Sequence, residues 1–213
     1  DPDYYKQQTL DLTAQWNLGI RAFEVIVDRM SSSSSSLATA NVKCNKKSVG
    51  VSFNKVMTDI SDKLKAQTGE CAVVVITYQP EDNDPNRNAY AFVQNLVNWW
   101  NSGLDKSQYA LYSPTATLGK EGEANSMRGK ILVLLRLNQF GENDNGNGID
   151  AAMTLLETNG CPFVVIDGCG TAKDRWGARG YHANNVRCLD ISNDPGDNAP
   201  ELIEDYMTGN PGL

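Results

Sequence analysis

Ser52-Phe53-Asn54-Lys55-Val56-Met57-Thr58-Asp59-Ile60-Ser61-Asp62-Lys63-Leu64, followed shortly by Cys71-Ala72-Val73-Val74-Val75-Ile76-Thr77, carries the change of period on which the fold turns. In the first run Phe53, Val56, Met57, Ile60 and Leu64 recur at helical intervals, which gathers them on one face of a helix with Ser52 as its N-cap. In the second run Ala72 to Ile76 is apolar at every position. That stretch is far shorter than the roughly 18 residues of a membrane span and has the length of a buried strand. Thr68-Gly69 ends the helix and leads into the strand.

The same alternation continues on both sides. Downstream, Asn83 to Arg87 is a polar turn, and Asn88 to Asn101 is a helix through Phe92, Val93, Leu96, Val97 and Trp100. Trp99 and Trp100 are expected to pack rather than to stack on a ligand. Ile131 to Leu135 is a second fully apolar strand after Arg128-Gly129-Lys130, and the Gly/Asn/Asp-rich linker Gly141 to Gly148 precedes a helix near Ile149 to Glu157. Phe163 to Ile166 and Val186 to Ile191 read as strands, and Glu201 to Met207 as a last element. Upstream, Thr9 to Leu18 reads as a helix ended by Gly19. The strand Ile20 to Val27 sets Ile20, Ala22, Glu24 and Ile26 on one face and Arg21, Phe23, Val25 and Val27 on the other. Ser31 to Ser36 has nothing apolar to bury and reads as a loop, with a further strand near Val42 or Val49 to Val51. Short apolar strands alternating with amphipathic helices predict a parallel sheet covered by helices, in one domain spanning residues 1–213.

Composition bounds the partners. The chain has 213 residues and a net charge of −7, which disfavours nucleic acid and anionic bilayers as broad-surface partners while leaving room for a local basic pocket that holds one phosphate. No transmembrane segment is present, and the polar opening Asp1-Pro2-Asp3 is not a signal peptide. Five cysteines, at 44, 71, 161, 169 and 188, lack the CxxC spacing of a zinc site, and the chain has a single histidine, His182, so neither a metal nor another cofactor is expected. Cys161 and Cys169 flank one strand, whose rise of about 13 Å keeps them apart. Cys169 and Cys188 are better placed for a disulfide, which would imply a secreted, periplasmic or surface location.

Three segments resemble, in order, the X region of phosphatidylinositol-specific phospholipases C, particularly bacterial ones. They are Gln15-Trp16-Asn17-Leu18-Gly19-Ile20-Arg21-Ala22-Phe23-Glu24, the run Ser52 to Ile76, and Met127-Arg128-Gly129-Lys130-Ile131-Leu132-Val133-Leu134-Leu135-Arg136. Asp174 to Tyr181 and Ile203 to Met207 are similar to stretches of some members. The resemblance implies an α/β fold of the TIM-type (β/α) barrel. A barrel of that kind takes about 250 residues, and only five or six strands are legible here, so it is expected to be incomplete at one or both ends. It also implies cleavage of phosphatidylinositol or a related phosphodiester by a histidine pair, with transient contact at a membrane surface.

On that resemblance Glu24 matches the acidic residue of the second barrel strand, and Arg136 an inositol-contacting arginine at the end of the fifth. The second family histidine would fall near Cys44-Asn45-Lys46, where Asn45 is the closest replacement, and an amide does not exchange a proton at neutral pH. Ile26 stands where relatives carry a phosphate-binding arginine or a metal-binding aspartate. These departures predict an impaired phosphodiesterase or, alternatively, a non-catalytic barrel that binds an inositol phosphate, a glycan or a protein partner. Glu24 and Arg136 are expected to share a cleft at the C-terminal ends of adjacent strands, although a structural salt bridge between them is the plainer reading. Asp167, after Phe163 to Ile166, is a further substrate-binding candidate, and it would serve with Glu24 as the carboxylate pair of a glycoside hydrolase. Tyr78, Lys43 and Lys46 are candidates by location. Cys44 reads as a buried or bridged cysteine before it reads as a nucleophile.

Overall fold

Residues 11–27, 36–44, 47–78, 88–110, 127–137, 148–166 and 188–189 are described by the structure, a computed structural model. Helix α1, Leu12–Asn17, begins at Asp11, whose carboxylate accepts the Ala14 amide at 2.8 Å. Gly19, at φ +90, turns the chain into strand β1, Ala22–Val27. The burial of β1 alternates as the sequence predicts, with Phe23, Val25 and Val27 buried and Glu24 exposed.

After a single 3-10 turn at Leu37–Thr39 come strands β2, Asn41–Cys44, and β3, Lys47–Ser52. They pair antiparallel, and β2 pairs antiparallel with β1 as well, which corrects the expectation of a purely parallel sheet. For β2 and β3 the reason is length. The two residues between Cys44 and Lys47 suit a hairpin, whereas a parallel crossover needs a dozen or so.

Ser52 caps helix α2, Phe53–Ala66, by accepting the Lys55 amide. Phe53, Met57, Ile60 and Leu64 form its buried face. Strand β4, Ala72–Tyr78, runs one residue beyond the expected end. Helix α3, Ala89–Trp100, is capped by Asn88, and it buries Trp99 and Trp100. Trp100 packs edge-on against Tyr109 and Phe163, and Trp99 stacks on Phe163, so both tryptophans are packing residues as expected. Strand β5, Ile131–Arg136, helix α4, Ile149–Thr158, and strands β6, Val164–Ile166, and β7, Cys188–Leu189, complete the described elements. The expected element Glu201 to Met207 lies outside the described residues, as do most of the serine run and the linker before α4.

The sheet order is β3-β2-β1-β4-β5-β6-β7; the pairs β3–β2 and β2–β1 are antiparallel, and every neighbouring pair from β1 across β4, β5 and β6 to β7 is parallel. Among the parallel strands β1, β4, β5, β6 and β7 the order follows the chain in one direction, whereas the parallel strands of a doubly wound sheet reverse at a switch point. Crossovers of one hand between successive neighbours put every helix on the same side. The core agrees. Residues of α2, α3 and α4 share one cluster with Phe23, Val25, Val74, Ile76, Val133, Leu135 and Val165. The opposite face carries a second cluster, Leu132, Leu134 and Val164 with Cys71, Val73 and Val75. A sheet with helices on one side and packed side chains on the other is an arc of a (β/α) barrel, with the second cluster on the inner wall. Among the described residues the arc is open.

Candidate functional site at the inner face of the sheet

Register decides what meets on the inner wall. Glu24 lies level with Val75, and Val75 with Leu134; one step nearer the C-terminal ends, Ile26, Thr77 and Arg136 form the next row. All of these share the face opposite the helices, because side chains two apart along a strand point the same way.

Within this patch Glu24 Oε1 accepts two bonds, one from the Thr77 hydroxyl at 2.9 Å and one from Arg136 Nη1 at 3.0 Å. Arg136 therefore reaches across β4 to β1. The expected shared face is found. The two strands, however, are not adjacent, since β4 lies between them and Thr77 bridges the gap. The Glu24 and Arg136 side chains remain 47% and 33% exposed, so the pair is open to a ligand as well as to water. A carboxylate, a hydroxyl and a guanidinium so arranged can accept from a polyol and donate a forked pair of bonds to a phosphate oxygen pair.

Thr77 is the member that sequence alone does not single out. Tyr78, a candidate by location, belongs elsewhere: alternation sends it to the helical side, where it is 1% exposed and stacks on Phe92 at 5.3 Å between centroids. It does not line this face. Asn45 and Asp167 lie outside the described residues, as does Lys46.

The other arginines of the quoted segments, Arg21 and Arg128, serve the opposite end of the sheet. Arg21 donates to Glu70 at 3.1 Å and to the Trp16 carbonyl at 2.6 Å, with its guanidinium 3.9 Å over the Trp16 ring. Arg128 donates to the Gly69 carbonyl, and the Gly129 amide, at φ +72, to the Glu70 carbonyl. These contacts clamp the N-terminal ends of β1, β4 and β5. Cys71, beside them, has its thiol pushed above the ordinary range by burial and by the Glu70 charge. Cys71 and Cys161 are free thiols. The expected bridge between Cys169 and Cys188 lies outside the described side chains. Among the described residues no group of three or more His, Cys, Asp or Glu could hold a metal, and no helix is long and apolar enough to cross a membrane.

Fold and site together define an α/β protein of the (β/α)-barrel type with a carboxylate–hydroxyl–guanidinium cluster near the C-terminal ends of its parallel strands. No protein-family profile and no curated protein matches the chain. Among solved structures it is similar in fold to phosphatidylinositol-specific phospholipase C of Staphylococcus aureus, at 18% identity and a TM-score of 0.44 over 64% of this chain and 42% of that one. It is similar also to the phosphatidylinositol-specific phospholipase C of Listeria monocytogenes, at 23% identity and a TM-score of 0.40 over 61% and 41%. A further Staphylococcus aureus structure aligns over 97% of this chain and 85% of its own at 14% identity and a TM-score of 0.44. The chain thus spans less than half the length of the first two. The likeness is one of fold.

Proposed function

We propose that this chain is a phospholipase C-like phosphodiesterase domain that takes phosphatidylinositol or a related phosphodiester on the inner face of its sheet and cleaves it poorly. The observation that carries the reading is the Glu24–Thr77–Arg136 cluster. It lies toward the C-terminal ends of parallel strands, where barrels of this kind build their sites. Arg136 supplies the planar fork that suits a phosphate, and Glu24 an acceptor for a sugar or inositol hydroxyl. The order of the three resembling segments supports the same ligand class, and it favours a protein that works outside the cytoplasm at the edge of a membrane.

Cleavage is the weaker half. Internal attack by a hydroxyl on the diester needs one group to take a proton and another to return one, both titrating near the working pH. A guanidinium does not deprotonate in proteins. The chain has one histidine, and Ile26 and Asn45 stand where relatives place a charge and a histidine. The cluster therefore binds more readily than it turns over, which brings the non-catalytic reading close: a barrel retaining a pocket for an inositol phosphate.

Phosphorus NMR of the chain with phosphatidylinositol in detergent micelles tests both halves. Binding without accumulation of a cyclic inositol phosphate is expected. Turnover within about a hundredfold of an active phospholipase C, the lower bound of what general acid–base catalysis contributes, would overturn the impaired reading. Absence of any phosphate or inositol phosphate binding would overturn the site.

A further inference from the structure

Lys43 is the one charged side chain buried among the described residues, at 7% exposure. Its place follows from register. Val27 of β1 pairs with Val42 of β2, antiparallel, so Lys43 stands beside Ile26. Val27 and Val42 both pack on the helical side. By alternation Lys43 belongs to the other face, that of Glu24, Thr77 and Arg136. The burial of β2 agrees, because Asn41 is exposed, Val42 half-buried and Lys43 buried. The irregularity in the β2–β3 ladder does not disturb this, since the extra residues are on β3: Val49, Gly50 and Val51 lie opposite the single Val42.

Lys43, Ile26, Thr77 and Arg136 therefore form one row across β2, β1, β4 and β5. The outer two backbones are about 14 Å apart at ordinary strand spacing. Arg136 leans toward β1, its Nη1 3.0 Å from the Glu24 oxygen that also accepts from Thr77 of β4. Two cations thus share one row of the inner face with Ile26 and Thr77 between them, and among the described residues the Glu24 carboxylate lies one row below. Lys43 has interaction partners within the fold, and a buried charge is costly unless it is paired.

We infer that Lys43 is a second phosphate-binding cation of this site, acting with Arg136 from the opposite side of Ile26. The inference rests on the reading of this face as a ligand site, and it deepens that reading. The ligand it fits carries a phosphate with more than one free oxygen to present, one edge to the Arg136 fork and another to the Lys43 ammonium. The hairpin thereby supplies from β2 a positive charge that Ile26 does not supply from β1.

Calorimetric titration of the whole chain with inorganic phosphate, with myo-inositol 1-phosphate and with neutral myo-inositol tests it, in wild type, Lys43→Met, Lys43→Arg and Arg136→Met. Expected is a loss of about tenfold in affinity for both phosphate ligands in Lys43→Met, the scale of one charged hydrogen bond. Affinity for myo-inositol should be unchanged, and Lys43→Arg should stay within about threefold of wild type. If Arg136→Met loses phosphate while Lys43→Met binds as wild type, the Lys43 role is overturned and the site survives. If wild type binds no phosphate, both fall. Should Lys43→Met fail to fold, wild-type protein with carbon-13-labelled lysine decides. A Lys43 resonance that moves with phosphate saturation supports the role, and one that stays fixed overturns it.

Discussion

Both hydrogen bonds to Glu24 fall on the same oxygen, Oε1, and the pair with Arg136 is about half open to solvent. An ion pair that exposed contributes under about 1 kcal/mol to stability, so its weight lies in what it does to Arg136. Glu24→Gln keeps an acceptor for the hydroxyl and removes the charge that competes with an incoming anion. The expected outcome is a thermal midpoint within a few degrees of wild type, with inorganic phosphate bound several-fold more tightly; paired melting curves and titrations check both. A second residue, Cys161, makes a pH prediction. Its thiol is fully buried, and burial pushes it from the ordinary 9.0 up to about 12. The folded state thus favours the neutral thiol, while the unfolded chain ionises from about pH 9 upward. The stability this group contributes is complete below pH 9 and is lost as the pH rises toward 12. Denaturant midpoints of wild type and Cys161→Ala should converge over that interval. At pH 8 the native thiol should resist alkylation that the unfolded chain accepts.

Single elements were legible where their two faces differ in polarity. The face of α2 and its cap at Ser52 were readable because Phe53, Met57, Ile60 and Leu64 recur among polar neighbours, and the alternation of β1 placed Glu24 correctly. Ser52→Ala removes the acceptor for the Lys55 amide, and it should cost about 1 kcal/mol, or about 2–4 °C in the thermal midpoint. Strand β4 was another matter. Ala72 to Ile76 is apolar at every position, so nothing local tells the face against the helices from the inner face, and neither Thr77 nor Tyr78 could be assigned a side. Only the pairing with β1 settles it, by setting Val75 beside Glu24 and Tyr78 beside Val27. The direction of the β2–β3 hairpin escaped for a similar reason. Val42 and Val49 to Val51 mark extended chain, but direction follows from the two-residue connection once both strands are known.

At the scale of the whole chain, strand order and the meeting of Glu24 with Arg136 are products of long-range contact, the latter across 112 positions. Periodicity does not encode such pairs. The resemblance in the Gln15, Ser52 and Met127 segments did anticipate the barrel type, and the one-directional order of the parallel strands β1, β4, β5, β6 and β7 supports it. The position of this protein relative to the cytoplasm rests on the cysteines. With Cys161 and Cys71 free, a bridge between Cys169 and Cys188 would leave Cys44 as a third unbridged thiol. Intact-mass measurement should show two hydrogens gained on reduction; an unchanged mass with full alkylation at 169 and 188 would remove the argument for an oxidising compartment.

The irregularity of the β2–β3 ladder at Gly50 bears on behaviour in concentrated solution. Strand β3 ends the described sheet, with Val49 48% and Val51 36% exposed. A straight, apolar strand at that place would offer its peptide groups as a template on which other copies could stack, the first step toward fibrils. Gly50 sits between the two valines at φ +74, its amide bonded to the Ser48 hydroxyl at 3.2 Å. A side chain there would meet no atom within 4 Å, yet the left-handed backbone would cost about 1–2 kcal/mol for most residues. The bent conformation thus breaks the regular spacing that a recruited strand would need. Gly50→Val should relax toward an extended edge, and turbidity or thioflavin binding at high protein concentration should rise before any ligand affinity changes.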